Sequence, residues 1–166
     1  SDSYNTFSQK AYYLWEAQEK EEWYNLARRT FECTKYMMGV KIFAVINEYG
    51  LEIFDEYVTR QYDLARQFAD LIEKEKHFEL AIRPEANIVC FRFRPEGLTL
   101  KKLSELNRSI RKGMHEDGKF YFVQTELKGG LYLRVTLMNA FTTIDHLAEM
   151  LEEIRKTGLV NSKKLV

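Results

Sequence analysis

Proline, glycine and cysteine are scarce: the 166 residues include 2 prolines, 8 glycines and 2 cysteines. Because proline and glycine interrupt helices and strands, their scarcity favours long regular elements. The cysteines, Cys33 and Cys90, form no C-x-x-C pair and have no histidine close to them in sequence. This argues against a disulfide scaffold and a zinc site, and is typical of a reducing compartment such as the cytoplasm.

Net charge and long apolar runs are missing too. The 25 basic residues balance 25 acidic ones, so the chain has none of the excess positive charge typical of nucleic-acid binding. No apolar run approaches the ~20 residues of a membrane helix. We therefore expect no nucleic-acid partner and no membrane partner. With 45% hydrophobic and 14% aromatic residues, the chain is predicted to be a soluble domain with an ample core.

Two long helices are predicted in the first half of the chain. Apolar residues recur at helical spacing over residues 34–49, and Gly50 follows as a plausible end. A second helix is predicted over residues 51–76, with one broad apolar face that runs from Phe54 and Val58 to Ile72.

The second half changes to a strand-like period. The order β-β-α-β-β-α is predicted from the following segments: strands at 78–82 and 88–94, a helix from Thr99 to Gly118, strands at 120–127 and 131–138 around the turn Lys128-Gly129-Gly130, and a helix from Thr142-Thr143. Short β-β links favour a mostly antiparallel sheet with helices on one face. The predicted fold class is therefore α+β.

Motifs for metal or nucleotide chemistry are absent from the sequence. His77, His115 and His146 fall in different predicted elements without a ligating spacing, so no metal site is predicted. Arg92 and Arg94 alternate on a predicted strand, where a solvated face explains them. The residues by themselves indicate only a soluble α+β domain.

Three ordered stretches add a family resemblance. They are A-Y-Y-L-W at 11–15, T-F-E-C at 30–33 with Lys41 further on, and L-R-V at 133–135 leading to N-A-F-T-T at 139–143. Together they resemble the C-terminal portion of the group II pyridoxal-phosphate-dependent amino-acid decarboxylases. Ala140 stands where that family usually has proline, and Met38 where it often has aspartate.

The resemblance implies the small C-terminal domain of a fold-type I enzyme, preceded by two long helices. It divides the chain into the end of the large domain with a mobile catalytic loop (1–33), linker helices (34–76), the small domain (77–157) and a tail (158–166). The family's Schiff-base lysine, ring-stacking histidine and ring-nitrogen aspartate lie upstream of the first stretch. We therefore expect a fragment that is inactive alone, from a cytoplasmic homodimer that uses pyridoxal 5'-phosphate.

Two residues are candidates for the active site through this resemblance. Tyr24 corresponds to the tyrosine of the catalytic loop, where a phenol can protonate Cα after carbon dioxide is lost. Arg134 corresponds to the arginine that holds the substrate's α-carboxylate in paired hydrogen bonds. No residue of the chain is predicted to bind the cofactor, and Lys41 is interpreted as structural.

The resemblance implies an L-amino acid as the substrate, and residues 134–139 are most similar to the L-2,4-diaminobutyrate decarboxylase branch. Glutamate, tyrosine and cysteine-sulfinate specificities stay open. The alternatives are the small domain of another fold-type I pyridoxal-phosphate enzyme and a non-catalytic ligand-binding or interaction domain.

Overall fold

A computed structural model describes residues 36–163 of the chain. The chain divides into two compact units, Ser1–Leu51 and Glu52–Val166. The described part of the first unit contains one helix, α1 (Met38–Tyr49), none of whose residues is fully buried. It lies within the predicted range 34–49. No helix in the described part is both long and apolar enough to cross a membrane.

The described part of the second unit contains a four-stranded antiparallel sheet and three helices, so the α+β prediction is confirmed. In chain order the elements are α2 (Glu52–Lys74), β1 (Phe78–Leu80), β2 (Ile88–Phe93), α3 (Leu100–Glu116), β3 (Val123–Leu127), β4 (Gly130–Thr136) and α4 (Ile144–Ser162). The sheet order is β1-β2-β4-β3. Every neighbouring pair is antiparallel.

One face of the sheet and the three helices form the hydrophobic core. Alternate residues of the central strands point into it, with Phe91 and Leu133 directly opposite each other across β2 and β4. The helix α3 contributes the residues that its periodicity predicted: Leu103, Leu106, Ile110 and Met114. The opposite face of the sheet carries the polar residues of the same strands.

Only the second half of α2 enters this core. Leu64, Phe68 and Ile72 are buried, whereas Phe54 and Val58 are 42% and 49% exposed. The predicted apolar face of α2 is therefore buried only in its second half. The reason is length: the 23 residues of α2 form a helix about 35 Å long, whereas strands of three to seven residues are at most about 23 Å long. The helix is therefore longer than the strands on which it packs.

Two residues fix the helices against β2. The buried side chain of Asn107 on α3 accepts a hydrogen bond from the backbone N–H of Phe93 and donates one to its carbonyl oxygen, both at 2.9 Å. The register between β2 and β4 extends only to Phe91, and Asn107 supplies hydrogen-bond partners to Phe93 beyond that point. On α4, Gly158 lies so close to Phe93 that an added Cβ would be 2.5 Å from the ring. The helix α4 continues past residue 157, the predicted end of the small domain, to Ser162.

Candidate functional site

Arg134 lies near the end of β4, on the sheet face away from the core. The register pairs it with Cys90 on β2 and with Val123 on β3. Alternation along β4 places Tyr132 and Thr136 on the same face, whereas Leu133 and Val135 are buried in the core cluster. The predicted orientation of this strand is therefore confirmed.

Arg134 also lines a cleft of about 490 Å³. The cleft lies where the chain before β3 and the chain after β4 separate, beside the first turns of α4. Its walls are mostly apolar, with Phe122, Leu137 and Met150 among them. Within the described residues, no side-chain nitrogen of Arg134 has a hydrogen-bond acceptor, and its Nε is shielded from solvent. The cleft thus combines an apolar wall with one guanidinium whose hydrogen-bonding capacity is unused in this part of the chain.

A second arginine on the same sheet face has a different environment. Arg92 is 3% exposed; its Nη2 donates to Glu79 Oε1 at 2.7 Å, and its Nη1 donates to the carbonyl oxygen of Gly129 at 2.7 Å. Its guanidinium lies 4.4 Å from the centre of the Tyr132 ring. The prediction that Arg92 belongs to a solvated face is therefore wrong. Arg94, in contrast, is exposed and binds the other oxygen of Glu79.

The pKa of Glu79 follows from this cluster. Burial alone would raise it, but hydrogen bonds from Arg92, Tyr132 and Arg94 outweigh burial and hold the pKa below its usual value. The pKa of Tyr132 is raised, first by burial and then by its 2.9 Å hydrogen bond to Glu79. Sequence reasoning missed this cluster because Glu79, Arg92 and Tyr132 are on three different strands, and only the strand order places them in one row.

The other predicted functional residues are not brought to the cleft as a group. Tyr24 and the stretches at 11–15 and 30–33 lie outside the described residues. Lys41 is exposed on α1. His77 lies edge-on to Phe93, and His115 edge-on to Tyr121. His146 alone of the histidines lines the cleft, and its Nδ1 accepts from the Thr143 N–H in the cap of α4.

The part of the chain that the structure describes has no metal-binding group and no lysine in the cleft. No group of three His, Cys, Asp or Glu residues there could hold a metal ion. Lys76 and His77 lie at the turn after α2, and His77 has a positive φ of 67°. They are outside the cleft that Arg134 lines. Within the described residues, no lysine that could carry pyridoxal phosphate lines this cleft, whereas the guanidinium of Arg134 fits a carboxylate.

The fold and cleft define the class of the protein: an α+β domain that presents an arginine, without an acidic partner among the described residues, beside an apolar wall. The family follows from comparison with known proteins. Residues 2–94 match the model of the pyridoxal-dependent decarboxylase conserved domain. The match covers more than half of the chain, and the chain belongs to this family.

Individual relatives share modest identity with the chain. The L-2,4-diaminobutyrate decarboxylase of Acinetobacter baumannii is 24% identical over 153 residues, which cover 92% of this chain and 30% of that protein. The phenylacetaldehyde synthase of Arabidopsis thaliana is 28% identical over 111 residues, which cover 67% of this chain and 23% of that protein. The chain thus spans between about a quarter and a third of the length of these relatives.

Solved structures share the fold. The TDC of Oryza sativa with PLP and tryptamine matches with a TM-score of 0.72 and 25% identity, over 81% of this chain and 29% of that one. Mouse CSAD in its apo form matches with a TM-score of 0.73 and 19% identity, over 86% and 32%. The second likeness concerns the fold alone.

Proposed function

We propose that the chain is the C-terminal part of a pyridoxal-phosphate-dependent L-amino-acid decarboxylase. Family membership supports the proposal, and the observation that carries it is the guanidinium of Arg134, which lies beside an apolar cleft and has no acidic partner among residues 36–163. The Schiff-base lysine belongs to a part of the complete enzyme that precedes this sequence. The chain alone is therefore expected to be inactive.

Arg134 is proposed to bind the α-carboxylate of the substrate. A guanidinium offers two parallel N–H donors that match the two oxygens of a carboxylate. An internal acidic partner would compete with the substrate, and the described residues supply none at Arg134. A bound carboxylate would be held in a fixed orientation, which controls which bond at Cα can break.

Tyr24 is proposed to act as the general acid of a loop that closes over the site. In a decarboxylase of this family the cofactor stabilises the charge left by carbon dioxide, and a proton must then reach Cα. A phenol near the closed site can donate that proton while the loop excludes water. In the full-length protein, Tyr24→Phe is expected to slow formation of the amine sharply while cofactor content stays unchanged.

The central test is Arg134→Lys and Arg134→Gln in the full-length protein. Both variants are expected to raise KM for the amino acid, with Gln more severe because it lacks the charge. A charged partner is worth about 2 kcal/mol, or roughly thirtyfold. Exposed Arg83→Gln is the matched control and is expected to leave KM unchanged. Unaltered KM with a lowered melting temperature would show that Arg134 is structural.

The substrate is proposed to be L-2,4-diaminobutyrate, supported by the similarity of residues 134–139 and by the Acinetobacter relative. A panel of this amino acid, glutamate, tyrosine, tryptophan and cysteine sulfinate tests the choice. Product analysis should look for both amine and aldehyde, since the relatives include a phenylacetaldehyde synthase. Release of carbon dioxide with formation of amine supports decarboxylation; turnover without carbon dioxide contradicts it.

The complete enzyme is proposed to be a cytoplasmic homodimer, as the family resemblance implies. Light scattering of the full-length protein tests the oligomeric state: a mass of two chains is expected, and a monomer with full activity would contradict it. Fractionation of the native cells tests the compartment.

A further inference from the structure

Arg92 on β2 and Arg134 on β4 both lie on the sheet face away from the core, but they differ in their cross-strand neighbours. Arg92 is directly opposite Glu79 on β1, and this carboxylate neutralises it. Arg134 is directly opposite Cys90 on one side and Val123 on the other. Since opposite residues of antiparallel strands have Cβ atoms about 5 Å apart, the stem of Arg134 runs between a thiol and an isopropyl group.

Both neighbours of Arg134 are uncharged at neutral pH. Burial raises the pKa of the Cys90 thiol; the nearby charge of Arg134 opposes this but does not outweigh it. This effect of the Arg134 charge on the Cys90 thiol agrees with the register of β2 and β4, which places the two residues opposite each other. Cys90 therefore occupies the position from which a carboxylate would reach Arg134, as Glu79 reaches Arg92.

We propose that position 90 determines substrate binding through its lack of charge: the Cys90 thiol leaves the guanidinium of Arg134 without a cross-strand ion pair and so available to an incoming carboxylate. This inference rests on the proposed function, and it deepens it by assigning a role to the neighbour of the arginine. Val123 has the same role on the edge-strand side.

The test compares Cys90→Asp with Cys90→Asn in the full-length enzyme. Aspartate and asparagine have nearly the same shape, but only aspartate can pair with Arg134. We expect Cys90→Asp to raise KM for the amino acid about tenfold and to leave kcat within a factor of about two. Cys90→Asn is expected to keep KM within about threefold of the wild-type value.

The product amine gives a second readout that a loss of folding would not mimic. Because the amine lacks the carboxylate, its inhibition constant should be the same in wild-type and Cys90→Asp enzyme. Equal KM values for the Asp and Asn variants would overturn the proposal, as would equal weakening of amine and amino-acid binding.

A second variant covers the case in which Cys90→Asp fails to fold. Val123→Asp, with Val123→Asn as its control, places the carboxylate on the other side of Arg134, at an edge strand, and predicts the same pattern. Failure of the inference is distinguishable from failure of the proposed function. If Arg134→Gln raises KM but neither aspartate does, only the role assigned to positions 90 and 123 is overturned. If Arg134→Gln leaves KM unchanged, the proposed carboxylate site itself is wrong.

Discussion

The ion pair of Glu79 and Arg92 predicts an asymmetry between its two halves. The Arg92 side chain is 4% exposed, whereas that of Glu79 is 24% exposed. Among the residues that the structure describes, Glu79→Ala leaves the buried guanidinium with the Gly129 carbonyl and the Tyr132 ring as its partners. Arg92→Met leaves a partly solvated carboxylate that keeps its bonds to Arg94 and Tyr132.

The expected magnitudes follow from burial. Removing one partner of a buried pair costs about 3–5 kcal/mol because the other charge stays uncompensated. We expect Glu79→Ala to lie near the lower bound, about 3 kcal/mol, since two contacts of Arg92 remain. Arg92→Met should cost about 1 kcal/mol, because the thioether stem preserves packing on Tyr132 and an apolar replacement relieves the desolvation of the charge.

Denaturant unfolding followed by circular dichroism measures both changes, and the double variant completes the cycle. Arg83→Met is the control: this exposed arginine binds Asp70 and Glu73 on the surface, and its loss should cost below about 1 kcal/mol. Equal costs for Glu79→Ala and Arg92→Met, or the reverse order, would refute the argument that the buried guanidinium dominates this cluster.

Three other predictions concern stability. Gly158→Ala should destabilise the fold by about 1–3 kcal/mol, because its Cβ would meet the ring of Phe93. Gly113→Ala, whose nearest neighbour would be 3.9 Å away, should instead stabilise the fold by up to about 1 kcal/mol. Thermal melts that rank the two variants in the opposite order would contradict this. Asn107→Ala should cost about 2–4 kcal/mol in denaturant unfolding, since the N–H and C=O of Phe93 lose their partners; a cost below that of an ordinary surface change would show that water replaces the amide. The folded-state pKa of Glu79 is lowered from its ordinary 4.5, so the unfolded chain binds more protons in acid and stability should fall as the pH drops below about 4.5. Glu79→Gln should flatten that acid slope, and an unchanged slope would exclude Glu79 as its source.

The sequence predicts the elements of this fold better than the contacts between them. Leu103, Leu106, Ile110 and Met114 recur at helical spacing, and all four are buried as expected. The same reasoning does not indicate that Phe54 is 42% exposed, because a helix can carry an apolar stripe past the end of the sheet that it packs on. Periodicity indicates which face is apolar but does not indicate the length of its cover.

The candidate site shows the same limit. The family resemblance and the alternation along β4 predicted which face Arg134 would occupy. The burial and ion pairing of Arg92 could not be predicted, since they depend on Glu79 and Tyr132, which are 13 and 40 positions away in the sequence. Sheet order is a property of the whole chain, and it decides which arginine finds an internal partner.

The turn at Lys128 and Gly129 has a consequence for how this domain can change over evolutionary time. It joins β3 and β4 with Leu127 opposite Gly130, and this spacing decides which residues of β4 point away from the helices. One inserted residue that shifted the strand by a single position would turn Arg134 inward and bring Leu133 to the surface. Side chains around the cleft can thus be substituted one at a time, whereas a change of one residue in the hairpin that shifts β4 exchanges the side chains on the two faces of the sheet.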